Sequence, residues 1–195
     1  MITLIISTTK DIPIPEKINK KFNFKIGAAF GRIRQHQIAK ARKAVSATYT
    51  GGCQCGQIRY EIRAEPLTLY LCHCQECQKQ SSSAFGMSLT VPRDAVVIIQ
   101  GQPKAWTRKA DSGREVTCLF CGECGTRLFH ERTYSQETIN VKAGTLDDTS
   151  WLRPVGNLWT RSAQPWVMIS DEMLNYEGQP KDVRPLWEKW AEQHS

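Results

Sequence analysis

Seven of the eight cysteines in this 195-residue chain fall in three tight clusters. The first is Gly52-Cys53-Gln54-Cys55-Gly56, the second Cys72-His73-Cys74-Gln75-Glu76-Cys77, and the third Cys121-Gly122-Glu123-Cys124-Gly125. Thiolates this close together suit a thiophilic metal, zinc above all. A CxxC pair reaches two adjacent corners of a tetrahedron, and the glycines permit the tight turn that aims backbone N–H groups at sulfur. Near neighbours such as Cys53 and Cys55, or Cys72 and Cys74, rarely bridge to each other. The opening MITLIISTTK is too short and polar for a secretory signal. No run approaches the roughly 18 apolar residues of a membrane-spanning helix. The expectation is a soluble, cytoplasmic protein whose thiols serve metal or catalysis rather than disulfides.

Seven thiolates divide naturally into four and three. Cys72, Cys74 and Cys77 lie within six residues and can bind one ion alone. That leaves Cys53, Cys55, Cys121 and Cys124 as a closed tetrahedral site tying an early strand to a late one, so two zinc ions are expected. A three-ligand site keeps a corner for water or a substrate thiol. A zinc-bound thiol loses its proton near neutral pH and becomes a nucleophile. Two residues offer to close that corner instead. Cys118 precedes Cys121 at CxxC spacing, though it reads equally as a buried strand residue. His73 sits between two ligands and on a strand would point the opposite way. A redox role for Cys121 and Cys124 lacks the βαβ context such motifs usually have.

The elements that must position these clusters read mostly as strands. Ile58, Tyr60 and Ile62 alternate with Arg59, Glu61 and Arg63, the period-two pattern of a half-buried strand. Phe85, Met87, Leu89 and Val91 alternate likewise, with a turn at Pro92-Arg93-Asp94. Val96 to Ile99, Glu115 to Phe120, Thr126 to His130 and Thr138 to Val141 are further short strands. Helical pattern is scarce before the last dozen residues, where Leu186, Trp187 and Trp190 can pack a short helix. Most of the six tryptophans follow residue 150 and read as core and lid packing, although Trp151, Trp159 and Trp166 could wall a pocket. Asp147-Asp148 reads as a turn after Gly144 rather than a catalytic carboxylate pair. A mostly β domain over 46–195 follows.

The net charge of +7 belongs to one end. Residues 1–45 hold ten Lys/Arg and two acids, while 46–195 hold 16 basic and 17 acidic residues. This shift places a boundary near residue 46 and a basic extension, loosely ordered or helical, over 1–45. Ile26, Ala29, Phe30, Ile33, Gln37, Ala41 and Ala44 can line one side of a helix there. No aromatic or Gly-rich pattern accompanies the charge, so neither nucleic acid nor membrane is expected as a partner.

At these same residues the chain resembles the glutathione-dependent formaldehyde-activating enzyme family, which includes the centromere protein V relatives. The resemblance runs from Tyr49-Thr50-Gly51-Gly52-Cys53-Gln54-Cys55-Gly56 through Cys72-His73-Cys74-Gln75-Glu76-Cys77 and Ser83-Ala84-Phe85. It continues through Ser112-Gly113-Arg114 and Phe120-Cys121-Gly122-Glu123-Cys124-Gly125-Thr126-Arg127-Leu128. Gly144-Thr145-Leu146-Asp147-Asp148, Trp159-Thr160-Arg161-Ser162 and Pro165-Trp166 complete it. It implies a β-tent of packed antiparallel sheets around zinc. It also implies a structural site on Cys53, Cys55, Cys121 and Cys124 and an active-site zinc on Cys72, Cys74 and Cys77. The implied activity is that of a carbon–sulfur lyase joining glutathione and formaldehyde into S-(hydroxymethyl)glutathione. Glutathione, the co-substrate, carries two carboxylates and needs an anchoring cation, for which Lys79 is nearest in sequence. A non-catalytic zinc module that binds a small thiol or a macromolecular partner is the alternative. Two positions depart from the family pattern: Asn157, where a His is common, and Cys118.

Overall fold

The computed structural model describes residues 28–43, 48–110 and 113–194. Eleven strands, β1 (Tyr49–Gly52), β2 (Arg59–Ile62), β3 (Thr68–Cys72), β4 (Gly86–Pro92), β5 (Val96–Gln100), β6 (Lys104–Lys109), β7 (Glu115–Phe120), β8 (Arg127–Arg132), β9 (Thr138–Val141), β10 (Gly156–Leu158) and β11 (Leu174–Tyr176), form two sheets. The small sheet has the order β1-β2-β5 and the large one β11-β10-β3-β4-β9-β8-β7-β6. Pairing is antiparallel except that β10 runs parallel to both β3 and β11. Among the described residues three α-helices complete the fold: α1 (Ala28–Lys43), α2 (Gln75–Ser81) and α3 (Arg184–Gln193). The expected mostly β architecture of packed, largely antiparallel sheets is what the chain adopts.

The strand alternation decides where the core sits. Residues opposite one another in a ladder share a face. Leu69, Leu89 and Val141 are in register across β3, β4 and β9, with Phe129 of β8 facing Val141. All four are buried, and Phe129 meets Tyr60 of the small sheet edge-on, ring centroids 5.0 Å apart. This is the apolar layer between the sheets, and Ile58, Tyr60 and Ile62 enter it as their alternation predicts.

The opposite face of the large sheet is also buried, and there the chain is polar. Cys72 and Tyr70 lie opposite Gly86 and Ser88, Thr90 opposite Asn140, and His130 opposite both Asn140 and Cys118. Tyr70 Oη receives Arg132 Nη2 at 2.8 Å and Asn140 Nδ2 at 2.9 Å, while Thr90 Oγ1 donates to Asn140 Oδ1 at 2.9 Å. Leu89 and Val91 alternate with Ser88 and Thr90, yet all four are buried. The reading of β4 as half-exposed is corrected accordingly, because helices cover its second face.

Helix α3 lies along β3 with Leu186, Trp187 and Trp190 buried, and Thr68 Oγ1 donates to the Leu186 carbonyl at 3.2 Å. Helix α1 buries Ile38 and Ala41 in the same core, and the Ala41 carbonyl accepts from Glu65 N at 3.2 Å. Ile38 was not among the residues expected to line that helix. Of those that were, Gln37 is half-buried and Ala41 buried. Ile26 and Ala44 lie outside the described residues, as do the side chains of Ala29, Phe30 and Ile33. Most of the expected 1–45 extension, and Ser112, also fall outside them. No helix among the described residues is long and apolar enough to cross a membrane.

Candidate metal centres

Two hairpin turns make the first site. Cys53 and Cys55 lie in the β1–β2 connection, Cys121 and Cys124 in the β7–β8 connection. Each turn closes on a glycine in the left-handed region, Gly56 (φ +78°) and Gly125 (φ +72°), where a side chain would be strained. Gly56 N bonds the Cys53 carbonyl and Gly125 N the Cys121 carbonyl, both at 3.0 Å. Backbone and hydroxyl donors aim at sulfur: Ile58 N to Cys53 Sγ at 3.1 Å, and Thr126 Oγ1 beside Cys124 Sγ at 3.1 Å. The four sulfurs all lie within 4.8 Å of one another. Cys53 and Cys55 are 3.5 Å apart, Cys55 and Cys121 3.7 Å. A tetrahedral ion with bonds of about 2.3 Å to sulfur requires edges of about 3.8 Å, so the donor set fits zinc. The thiols also cannot all ionise unaided. The Thr126 hydroxyl and nearby backbone N–H groups draw Cys124 down to about 5, while three neighbouring sulfurs and desolvation hold Cys55 up at about 12 against the Gln57 N–H.

The second site begins at the end of β3 and continues into α2. Cys72 closes the strand and Cys74, in extended conformation, caps the helix by accepting Cys77 N at 3.4 Å. Cys77 then turns back into the core. Helix α2 escaped the sequence reading because it is short and its capping residue is a thiol, not one of the usual Ser, Thr, Asp or Asn signals. The three sulfurs lie within 4.8 Å of one another, and Cys72 and Cys74 are 3.5 Å apart. Hydrogen bonds from Cys72 and Cys74 hold the Cys77 thiol far below its ordinary range, aided by Lys142 and His130 and opposed by burial. Hydrogen bonds with Cys74 and Cys77, then burial, push the Cys72 thiol far up. One of the three carries the charge readily and the others resist it, the behaviour expected of thiols that a cation must bring to full ionisation.

Neither residue offered as a fourth ligand belongs to this group. Cys118 is buried on β7, where Gln80 Nε2 of α2 donates to its sulfur at 3.2 Å. His73 is buried with Nε2 bonded to Asn157 Oδ1 at 2.9 Å and its ring edge-on to Phe85. Asn157 Nδ2 in turn donates to Asn175 Oδ1 at 2.9 Å, so Asn157 joins the buried His73 to the exposed Asn175 in one polar relay. Gln78 fastens α2 to the following segment, donating to the carbonyls of His73 at 2.6 Å and Ser162 at 2.8 Å. Lys79 is exposed on α2. Asp147 pairs with Arg59 and accepts from Thr50, and Asp148 accepts from Ser150 N at 2.9 Å, both serving the turn. Trp166 and Met168 are exposed; Trp151 lies between Tyr49, tilted against it, and Trp190, edge-on to it.

Sequence reasoning missed the basic residues around the trio. Lys142 follows β9 and is buried, its Nζ 3.4 Å from Ser88 Oγ. Burial draws Lys142 down to about 8, against the thiols of Cys77, Cys72 and Cys118. Arg127 is turned onto the same face by the bulge at Leu119–Phe120, where Phe120 opposes Arg127, and its Nη2 meets His130 Nε2. These residues lie about 50 to 70 positions from Cys72–Cys77 in sequence, and no spacing rule links them.

A family model for the glutathione-dependent formaldehyde-activating enzyme matches residues 48–162, which contain both cysteine groups. The chain belongs to this family. A Penicillium rubens protein bearing the same enzyme name, given provisionally, is 27% identical over 117 residues. That match spans 56% of this chain and 60% of the relative's length. A crystal structure of a Rhodobacter sphaeroides protein, 20% identical, covers 54% of this chain and 91% of that one with a TM-score of 0.42.

Proposed function

We propose that the chain is a zinc-dependent carbon–sulfur lyase that forms or handles a thiol–aldehyde adduct such as S-(hydroxymethyl)glutathione. The observation that carries this reading is the inequality of the two groups: four sulfurs can complete one tetrahedron, while the trio stands one ligand short beside the buried Lys142 and the half-buried Arg127. On this reading Cys53, Cys55, Cys121 and Cys124 hold a structural zinc, and Cys72, Cys74 and Cys77 a second one at the active site. Bound to the trio, zinc would keep a substrate thiol ionised at neutral pH. The chemistry then needs no protein nucleophile. The thiolate attacks the aldehyde carbon, a C–S bond forms, the C=O pair moves to oxygen, and oxygen takes a proton from water. The reverse breaks the same bond. The chain's own part is to hold three thiolates in place through the β3–α2 junction and to keep Cys118 and His73 otherwise engaged. We assign this chemistry to residues 46–195, with 1–45 as a basic extension. A reducing cytoplasm suits eight unpaired thiols.

Metal analysis of the purified protein tests the reading, combined with X-ray absorption at the zinc edge before and after glutathione is added. Two zinc ions per chain and one additional sulfur neighbour with glutathione are expected, and Cys118→Ser should retain both ions. One zinc per chain, or a second zinc indifferent to thiols, would make the protein a non-catalytic module instead.

A further inference from the structure

The cations beside the trio carry more charge than the trio consumes. Zinc held by three thiolates has one net negative charge. Facing it are Lys142 and Arg127, with Arg108 beside Arg127 and with His130 pushed well below its ordinary range by burial, Lys142 and Arg127 and therefore neutral. Arg108 and Arg127 repel each other, and Arg127 and Lys142 do the same. Among the described residues the one carboxylate at ion-pair range is Glu76, 3.9 Å from Arg108 Nε. Arg108 Nε and Arg127 Nε are both buried with no hydrogen-bond partner. Buried guanidinium N–H groups left unpaired are expensive, and like charges packed together add to the cost. A bound anion would supply both the missing acceptor and the missing charge.

The ladder explains why these groups converge. Cys118 lies opposite His130 and His130 opposite Asn140, so β7, β8 and β9 present Cys118, His130 and Lys142 on the face that carries Cys72. Without the bulge Arg127 would point into the apolar layer; with it the guanidinium joins His130. On β6 the partner of Cys118 is Trp106; Arg108 lies two residues further along the same face, opposite Val116, and reaches Glu76 of α2. A planar fork with free Nε–H is the geometry that takes a carboxylate by two parallel hydrogen bonds.

We propose that Arg127, with Lys142 and Arg108 beside it, forms an anion subsite that binds a carboxylate of the thiol substrate and so selects acidic thiols over neutral ones. The inference rests on the reading of the trio as the thiol site. It assigns the substrate-anchoring role to cations remote in sequence from Cys77, where proximity alone had favoured Lys79.

The test compares glutathione with glutathione diethyl ester, which keeps the thiol and masks both carboxylates. Each is titrated calorimetrically into the zinc-replete full-length protein. The free acid should bind roughly 10- to 100-fold more tightly, the range of a charge-assisted hydrogen-bonded pair. Arg127→Met should erase that gap by weakening the acid alone, and Arg127→Lys should restore part of it. Lys142→Met is the second variant should Arg127→Met lose its fold by circular dichroism or its metal. Equal binding of acid and ester by the parent protein would overturn the subsite and leave the proposed enzyme standing. Failure of both forms to bind would remove the enzyme reading and this inference together. In turnover assays the subsite predicts a raised KM for glutathione with kcat little changed. A lowered kcat at constant KM would mean that the cations act on the reacting oxygen, and would overturn the carboxylate assignment.

Discussion

The two cysteine groups use the same donor atoms and are supported in opposite ways. The Cys53/Cys55/Cys121/Cys124 group sits at hairpin ends on the rim, with backbone N–H and threonine hydroxyl donors to its sulfurs. The Cys72/Cys74/Cys77 group lies at a strand–helix junction against a buried polar face that carries Lys142, Arg127 and His130. Neutral dipoles suffice where four thiolates only need to be held. Full charges and orphaned guanidinium groups accompany the site with a missing ligand. The tetrad also joins a turn of the small sheet to a turn of the large one, whereas the trio lies within one local segment. Loss of the first should therefore cost fold, and loss of the second should cost chemistry.

The sharpest way to break this comparison is Cys121→Ser. Structural zinc contributes on the order of 10 kcal/mol of apparent folding free energy. The variant should lose one metal and its cooperative thermal transition, read by circular dichroism with metal analysis. A melting temperature within a few degrees of the parent would show that the tetrad does not hold the sheets. Cys74→Ala should do the reverse. It should lose one metal and the response to glutathione, while the cooperative thermal transition survives at a lower temperature, having lost a helix cap and the binding energy of that ion. If that variant unfolds, the trio is structural too and the contrast fails.

Asn157→Ala probes the support beneath the trio without touching a ligand. It leaves the His73 Nε2–H buried and unpaired, which costs about 1–3 kcal/mol in denaturant unfolding, and metal content should not change. A drop in metal content would make the His73–Asn157 relay part of the site itself. The smallest effect belongs to Asp147→Asn on the tetrad side. The Arg59 hydrogen bonds, then the Thr50 hydroxyl, hold Asp147 down to about 2. A depressed carboxyl stabilises above its unfolded value near about 3.9 and loses that contribution as pH falls toward 2. The pair is substantially exposed, so the difference at neutral pH should stay below about 1 kcal/mol. It should fade between about pH 4 and pH 2 in acid titrations of both proteins; a gap that persisted at pH 2 would mean that the charge is not its source.

Local pattern carried a good part of the fold. The alternation at Ile58–Arg63 and the runs at Glu115–Phe120 and Thr138–Val141 correspond to β2, β7 and β9, and Leu186, Trp187 and Trp190 to the buried side of α3. The first announces itself because its apolar and polar residues alternate; β9, buried on both faces, shows only as a short run rich in β-branched residues. Strand β3 runs straight into the cysteine cluster and β10 is three residues long, so neither stood out. Their parallel pairing links residues more than 80 positions apart, which no local rule detects.

What the sequence determined by itself was which thiols share a site. Metal-binding thiols come in short loops, and a loop of two or three residues is a local object, so the grouping of Cys72, Cys74 and Cys77 could be read directly. The closeness of Cys53 and Cys55 to Cys121 and Cys124 followed by counting corners. Only the tertiary structure decided what surrounds those ligands. Gln80 occupies Cys118, Asn157 occupies His73, and a bulge turns Arg127 toward Lys142 and the trio. Each depends on strand register, and register is set by the packing of two whole sheets rather than by neighbours in the chain.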